Sequence, residues 1–266
     1  MDSTRASSSL ASRVLRVGLA MEFVGHGALG ISRVASWASY FAVIGLSQKT
    51  AFALMPIIGC MDIAFGIAVL IQPARSLLLY LAVWGLWTAL LRPLAGESVW
   101  EAVERAGNFG AALALYLMAS PQGSRSWIRR PSFATLSEVS LNQVRWTLRL
   151  TTSALLLGHG LLGLSVHKAM LGNQYAAVGI HTPWFESAVG ALECGFALAV
   201  LIRPAFGLLL FVVAWKLSTE ALAPLSGTPI WVFLEHGGSY AAPLALALIL
   251  RNQAALAPLP FRASPA

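Results

Sequence analysis

The sequence has very few charged side chains. Only 11% of its 266 residues are Asp, Glu, Lys or Arg, whereas 57% are hydrophobic. A soluble globular domain carries about 25% charged residues, so this chain has too little polar surface to face water on all sides. Apolar runs recur along it, each near the length of about 20 residues that a helix needs to cross a bilayer. The composition excludes an ordinary soluble protein and predicts a polytopic membrane protein.

The sequence also has little cysteine and lacks several common catalytic motifs. Its two cysteines, Cys60 and Cys194, form no C-x-x-C pair, so we expect neither a disulfide nor a thiolate metal site. Both are predicted to be small buried hydrophobic residues. A phosphate-binding loop, a nucleophile elbow, a zinc-protease helix and a dinucleotide fingerprint are all absent. Enzymes that depend on these motifs are therefore excluded.

Acidic residues are scarcer than basic ones, which gives a formal net charge of +7. The basic residues are scattered at the ends of apolar runs rather than gathered in a stripe, so we expect a lipid bilayer and no nucleic acid as partner. The predicted side shared by both termini carries Arg5, Arg13, Arg16, Arg75, Arg125, Arg129, Arg130, Arg145, Arg149, Arg203, Arg251 and Arg262. The other side carries Arg33, Lys49, Arg92, Arg105 and Lys168. This asymmetry predicts cytoplasmic termini in a bacterial inner membrane.

An internal repeat organises the chain. Residues 59–73 read GCMDIAFGIAVLIQP and residues 190–204 read GALECGFALAVLIRP. Each is an apolar segment that contains one carboxylate, Asp62 or Glu193, and ends in proline. GHGALGIS at 25–32 is repeated as GHGLLGLS at 158–165, and VERAGNFGA at 103–111 as LEHGGSYAA at 234–242. The chain is therefore predicted to be a duplicated helical protein.

The repeat predicts an all-α membrane protein of eight transmembrane helices, arranged as two parallel-repeat four-helix bundles. The first unit covers residues 1–119 (the first half), and the second covers residues 146–252 (the second half). Residues 120–145 are predicted to be a cytoplasmic linker and 253–266 a C-terminal tail. Within the first half, residues 1–12 are predicted to be a mobile tail, followed by helices at about 14–31, 51–71, 76–91 and 99–118. Residues 32–50 are predicted to be an interfacial loop or half-helix.

The second helix of each half has the form G-x-x-[DE]-x-x-x-G/A-x-A-x-L-I-x-P, which resembles the DoxX/DoxD-like membrane proteins. The residues that carry the resemblance are Gly59, Asp62, Gly66 and Pro73, and again Gly190, Glu193, Ala197 and Pro204. Members of that family are small four-helix bundles, and some belong to quinone-linked or sulfur-linked redox systems. The resemblance implies two such units fused in one chain and a redox partner protein or complex.

Three polar positions occur in both halves, and we predict that they form the binding site. They are His26 with His159, Asp62 with Glu193, and Glu104 with Glu235. Charged groups at membrane depth are costly and are usually partnered or functional. Glu22 lies four residues before His26 and therefore on the same helical face. Glu101 and Arg105 have the same spacing and are predicted to form a local ion pair.

Several ligands are compatible with these residues. Two histidines can hold a haem between the halves, one histidine with carboxylates can hold a divalent metal, and the same groups can bind a quinone or relay protons. Hydrogen bonds between helices are the structural alternative. We predict a membrane subunit of a redox system, with a quinone or haem site in the outer half of the bilayer. A proton- or metal-coupled transporter and an assembly subunit are the alternatives, and no residue is assigned as catalytic or as a metal ligand.

Overall fold

The protein is built from helices throughout the part of the chain that the structure describes. This computed structural model describes residues 2–119, 127–128, 131–133 and 137–256. Six helical segments are long and apolar enough to cross a membrane, and a seventh qualifies if two helices that meet at 92° count as one bent span. The predicted all-α, membrane-like character is therefore confirmed at this level.

The first half begins with α1 (Asp2–Ile31), and a 3-10 turn and the short α2 (Ala38–Ala42) then lead to α3 (Gln48–Ile71). The Ser47 hydroxyl accepts a hydrogen bond from the Thr50 backbone N–H and so caps the start of α3. Next come α4 (Arg75–Leu94), α5 (Val99–Glu104) and α6 (Ala106–Met118). The prediction of a half-helix between the first two long helices is confirmed by α2.

The second half follows the same order of elements. It contains α7 (Glu138–Leu161), which continues as a π-helical segment to Val166, and then α8 (Ala169–Ala176). These are followed by α9 (Pro183–Ile202), α10 (Phe206–Glu220), α11 (Leu222–Leu225), α12 (Ile230–Glu235) and α13 (Gly237–Leu256). The 92° bend lies between α7 with its π segment and α8.

Two predicted boundaries are wrong. The predicted N-terminal tail is helical from Asp2 onward, because α1 continues far beyond its most apolar part and buries Ser8, Ala11 and Ser12. The predicted linker ends early, because α7 begins at Glu138 and buries Leu141 and Val144. The polar residues at the beginnings of α1 and α7 made these segments resemble loops. A helix can nevertheless form there, because tertiary packing of small and apolar side chains on one face stabilises it. Much of the linker and residues 257–266 of the predicted tail lie outside the described residues.

The two halves pack against each other along their first and last helices. Helix α1 lies along α13, and α6 lies along α7, so the first helix of each half contacts the last helix of the other. Within each half, α1 also packs along α3 and α7 along α9. One apolar core unites both halves and includes Leu15, Leu19, Leu115, Leu148, Leu156 and Leu246.

Glycines bring α1 and α3 into backbone contact. A Cβ atom added at Gly59 would lie 2.9 Å from the Ile31 backbone nitrogen and closer still to the Gly27 carbonyl oxygen. In the second half, a Cβ at Gly190 would meet the Gly160 carbonyl oxygen in the same way. Small residues at such crossings let helices approach closely and strengthen van der Waals packing in membranes. These crossings fix the depth of the polar residues that neighbour them.

We expect Gly59→Ala to destabilise the protein by about 1–3 kcal/mol, because the added methyl group meets backbone atoms that cannot move aside cheaply. Gly195→Ala is the matched control, since Gly195 is also inside an apolar helix but a Cβ there has no neighbour within 4 Å. Thermal unfolding in detergent, followed by circular dichroism, should show a lower midpoint for the first variant only. Equal midpoints for both variants would contradict the crossing.

Candidate functional site

The centre of the first half is a hydrogen-bonded group of three side chains. The His26 Nδ1 atom lies 2.8 Å from Asp62 Oδ2, and the Trp84 indole N–H donates to Asp62 Oδ1 at 3.1 Å. The three residues come from α1, α3 and α4, and Asp62 is completely buried. Both carboxylate oxygens therefore have partners, which lowers the cost of placing this acid in the interior.

The second half contains the same arrangement. The His159 Nδ1 atom is hydrogen-bonded to Glu193 Oε2, and the Trp215 indole N–H donates to Glu193 Oε1 at 2.9 Å. Glu193 is also completely buried. These residues lie on α7, α9 and α10, which correspond in sequence to α1, α3 and α4. Two histidine–carboxylate–tryptophan groups thus occupy the interior.

From the sequence alone, no role is assigned to Trp84 and Trp215, which lie inside apolar helices. Each follows its carboxylate by 22 residues. This shared spacing is the signal that was available in the sequence. The spacing shows that each tryptophan is paired with its carboxylate only once the arrangement of the helices is known, because an indole packs well whether or not its N–H has a partner.

The third predicted pair of residues, Glu104 and Glu235, crosses the interface, so that each glutamate lies near the histidine of the other half. Glu235 of the second half lines a cavity together with His26 and Asp62. Glu104 of the first half instead has an oxygen that lies within 4.8 Å of a His159 nitrogen. The packing of α1 along α12 and of α5 along α7 produces this exchange. Each site is therefore completed by the other half.

A one-residue break in the last helix of each half positions these acids. Arg105 separates α5 from α6, and His236 separates α12 from α13. Both residues are buried together with the glutamate that precedes each of them. The Arg105 Nη1 atom lies 3.1 Å from Glu235 Oε1, so an ion pair joins the two breaks across the interface between the halves.

The predicted ion pair between Glu101 and Arg105 is wrong. Arg105 pairs with Glu235, while the Glu101 carboxylate lies 2.8 Å from Lys168 Nζ and 3.7 Å from Arg92 Nη1. The break at Arg105 interrupts the regular helix, so four-residue spacing no longer brings the two side chains together. The shortest ion pair of each residue, Arg105 with Glu235 and Glu101 with Lys168, links segments that are distant in sequence.

The interior of the second half holds further charges. The Lys216 Nζ atom lies 2.6 Å from Glu220 Oε1, and the His236 Nδ1 atom lies 3.2 Å from Glu220 Oε2. The His236 Nε2 atom lies 3.6 Å from Glu104 Oε1. Lys216 and Glu220 are buried, and the corresponding positions of the first half are Gly85 and Ala89. The second half is therefore filled by charged side chains where the first has none.

The first half instead has a cavity of about 180 Å³ beside His26. Its walls are largely apolar and include the aromatic side chains of Trp37, Tyr40, Phe41, Trp84 and Trp87. The His26 ring stacks on Trp37 with a centroid separation of 4.7 Å. Because Nδ1 is engaged by Asp62, the Nε2 atom remains for a ligand, and no hydrogen bond occupies it within the described residues. An apolar cavity with a few convergent polar groups is the usual form of a small-ligand site.

A polar cluster closes the rim of this cavity near α2. The Tyr40 hydroxyl donates to Glu97, and the Arg92 Nη1 atom lies 3.1 Å from Glu97 Oε2. Burial raises the pKa of the Glu97 carboxyl, but the Tyr40 hydrogen bond and the Arg92 charge outweigh burial and lower that pKa overall. Burial raises the pKa of the Tyr40 phenol. The rim therefore presents an ionised carboxylate and a neutral phenol at neutral pH.

The cysteines differ from their predicted placement. Cys60 is exposed on α3 and Cys194 is partly exposed on α9. The prediction of buried residues is thus wrong for Cys60, while both thiols are free, as predicted.

Comparisons with protein-family models, curated proteins and solved structures return no match. The function is therefore inferred from the geometry of this chain's own residues.

Proposed function

We propose that this protein is a membrane subunit of a redox system and that it binds a quinone head group in the cavity beside His26. The observation that carries the proposal is the pairing of His26 with the buried Asp62 at the wall of an aromatic cavity. A quinone ring fits this setting because aromatic walls can stack on it while a few polar groups fix its oxygens.

The His26–Asp62 pair suits the proton chemistry of such a ligand. With Nδ1–H donating to Asp62, the Nε2 lone pair can accept a hydrogen bond from a quinol hydroxyl. If the quinol is oxidised, one hydroxyl proton passes to Nε2, the other passes to solvent, and the two electrons leave to a redox partner protein. The buried Asp62 carboxylate then stabilises the resulting imidazolium, as a carboxylate does when it orients a general base.

The proposal includes a membrane topology of eight spans in two four-helix repeats. The six segments and the bent pair supply seven spans, and α5 with α6 supplies the eighth across the break at Arg105. Its counterpart in the second half, α12 with α13, has the same one-residue break and is apolar enough to cross a membrane. With the arginine-rich side inside, both termini are cytoplasmic in a bacterial inner membrane, and the cavity lies in the outer half of the bilayer.

The geometry favours a quinone over a haem held by both histidines. A shared haem requires His26 and His159 to face one cavity. His26 lines the aromatic cavity, whereas His159 is not among the residues that line it. The resemblance to DoxX-like proteins also agrees with a quinone-linked role.

A proton-coupled transporter is the second candidate. It is favoured by the series of buried ionisable groups that leads from the cavity into the second half, through Glu235, Arg105, Glu104, His236 and Glu220. Ionisable side chains inside a membrane protein often mark proton paths. Proton movement at a quinone site requires a bound redox ligand, whereas proton movement along a transport path does not.

The test is a titration of the detergent-purified protein with a short-chain quinone, followed by quenching of tryptophan fluorescence. Three of the chain's tryptophans line the cavity, namely Trp37, Trp84 and Trp87. We expect saturable quenching in the wild type and an affinity at least about tenfold weaker, or about 1.4 kcal/mol, in His26→Asn and Asp62→Asn. His159→Asn is the matched control and should keep the wild-type affinity.

Equal affinities in all variants would show partitioning into the detergent micelle and would contradict the proposal. If a dithionite-reduced spectrum shows haem bands and these bands disappear in His26→Asn, the ligand beside His26 is a haem and not a quinone. Proton uptake by proteoliposomes in the absence of quinone, lost in Glu235→Gln, would instead support the transporter.

A further inference from the structure

We propose that Glu104, His159 and Glu220 form a binding site for a divalent first-row transition metal ion, separate from the cavity beside His26. One potential ligand atom from each residue lies within 4.8 Å of those of the other two, and all three residues are buried. Two ligands at about 2.1 Å from one ion are at most about 4.2 Å apart. At the tetrahedral angles that such sites usually adopt, ligands are about 3.4 Å apart, so the three side chains would close around the ion by up to about 1.4 Å when it binds.

The surroundings of His159 orient it as a metal ligand. Its Nδ1 atom is hydrogen-bonded to Glu193, which leaves Nε2 as the ring nitrogen available to a metal ion. Glu193 is itself held by the Trp215 indole N–H. A histidine that ligates a metal commonly donates its other ring N–H to a carboxylate, which fixes the tautomer and raises the basicity of the ligand.

The carboxylates of this interior exceed its fixed positive charges. Apart from Glu101, which pairs with Lys168 and Arg92, the buried acids of the described chain are Glu22, Asp62, Glu104, Glu193, Glu220 and Glu235. The only buried Lys or Arg side chains among the described residues are Arg105 and Lys216. Isolated charges of one sign are very costly in a low-dielectric interior. His236, which lies beside Glu104 and Glu220, compensates one of these charges when it is protonated, and a divalent cation would compensate more of the excess.

One oxygen at the site independently indicates a missing partner. Glu104 is only 6% exposed, yet its Oε2 atom has no hydrogen-bond partner. A buried unpaired carboxylate oxygen is rare in proteins and requires an explanation. An ion bound between Glu104 and His159 would supply the partner.

Among the described residues, only the group around His159 has this set of three ligands. The corresponding residues around His26 are Glu235 and Ala89, so the first half lacks the third ligand. Imidazole suits Zn²⁺ and Fe²⁺, and carboxylates suit Mn²⁺ and other hard cations. This mixed set of one nitrogen and two carboxylate ligands therefore favours Zn²⁺, Mn²⁺ or Fe²⁺ over a copper(I) ion, which prefers sulfur.

The test measures metal content and thermal stability in the full-length protein. After treatment with chelator, reloading with Zn²⁺ or Mn²⁺ and desalting, mass spectrometry of the metal should find about one ion per wild-type chain. His159→Asn, Glu104→Gln and Glu220→Gln should retain less than about a tenth of that amount. Added Zn²⁺ should raise the unfolding midpoint of the wild type but not of these variants, since only a ligand that binds the folded state stabilises it.

His26→Asn is the matched control, because it alters the corresponding histidine outside the cluster and should retain the ion. Helical content by circular dichroism identifies any variant that has failed to fold. If His159→Asn or Glu220→Gln fails to fold, the metal content of Glu104→Gln, which keeps the size of the side chain, decides the test. Absence of a bound ion and of a stability shift in the reloaded wild type would overturn the proposal. Retention of the ion by both His159→Asn and Glu104→Gln would also overturn it, as adventitious binding. Quinone affinity is a separate measurement, so the two proposals fail independently.

Discussion

Replacing Arg105 by Met is expected to destabilise the folded protein by about 3–5 kcal/mol. The Arg105 guanidinium lies 3.1 Å from Glu235, and both residues are buried at the interface between the halves. Without the guanidinium, the Glu235 carboxylate must either remain charged in a low-dielectric interior or take up a proton. Either course costs free energy that the unfolded state does not pay. The thermal unfolding midpoint in detergent should fall by roughly 10 °C.

Two further variants separate the ion pair from simple loss of packing. The double variant Arg105→Met/Glu235→Leu has no unpaired carboxylate at position 235. Most of the lost stability should therefore return, as is found when both members of a buried ion pair are replaced by apolar residues. Arg92→Met removes an arginine whose nearer partner Glu97 is 33% exposed. Its more distant partner Glu101 keeps its ion pair with Lys168, so the change should cost only about 0–1 kcal/mol. A double variant as unstable as Arg105→Met would show that packing, not charge, gives Arg105 its importance.

Replacing Lys216 by Met is expected to make stability depend on a divalent metal. Lys216 is 1% exposed and lies 2.6 Å from Glu220. In chelator, the loss of its ammonium removes the positive charge that Lys216 supplies to Glu220 and Glu193, and we expect a cost of about 3–5 kcal/mol. With Zn²⁺ present, the ion can occupy the Glu220 oxygen that the ammonium occupied, so stability should recover and metal affinity should rise by about tenfold or more.

The measurement is the unfolding midpoint of Lys216→Met across a Zn²⁺ titration, with Lys216→Met/Glu220→Leu as the control. The double variant removes both the lysine and one metal ligand, so it should be more stable in chelator than Lys216→Met and respond little to Zn²⁺. A Lys216→Met protein that is stable in chelator and unaffected by Zn²⁺ would contradict this account of the charge balance.

Several features of the site could be predicted because they are properties of one helix at a time. Asp62 and Glu193 stand out as single acids inside apolar runs, and His26 and His159 lie in repeated G-H-G segments. Helix rise alone places such residues at comparable depths. The predicted candidates therefore include both histidine–carboxylate pairs that the structure brings into hydrogen-bond contact.

Other features depend on which helices become neighbours. The partner of Arg105 is 130 residues away, and that of Glu101 is 67 residues away. Local spacing instead predicted that these two residues pair with each other. The one-residue breaks at Arg105 and His236 turn the acids before them toward the opposite half. No pattern within one segment indicates that turn, because it is stabilised by contacts with another segment.

The sequence by itself determined the membrane-like composition, the helical content, the repeat and the identity of most polar residues in the interior. These follow from hydrophobicity and periodicity, which are local properties of the chain. Only the tertiary structure decided that Glu235 joins His26 and that Glu104 joins His159. It also decided that one half keeps an aromatic cavity while the other is filled by charged side chains. The physical reason is that α1 packs along α13 and α6 along α7, so the partners of Arg105, Glu104 and Glu235 in the interior come from the opposite half.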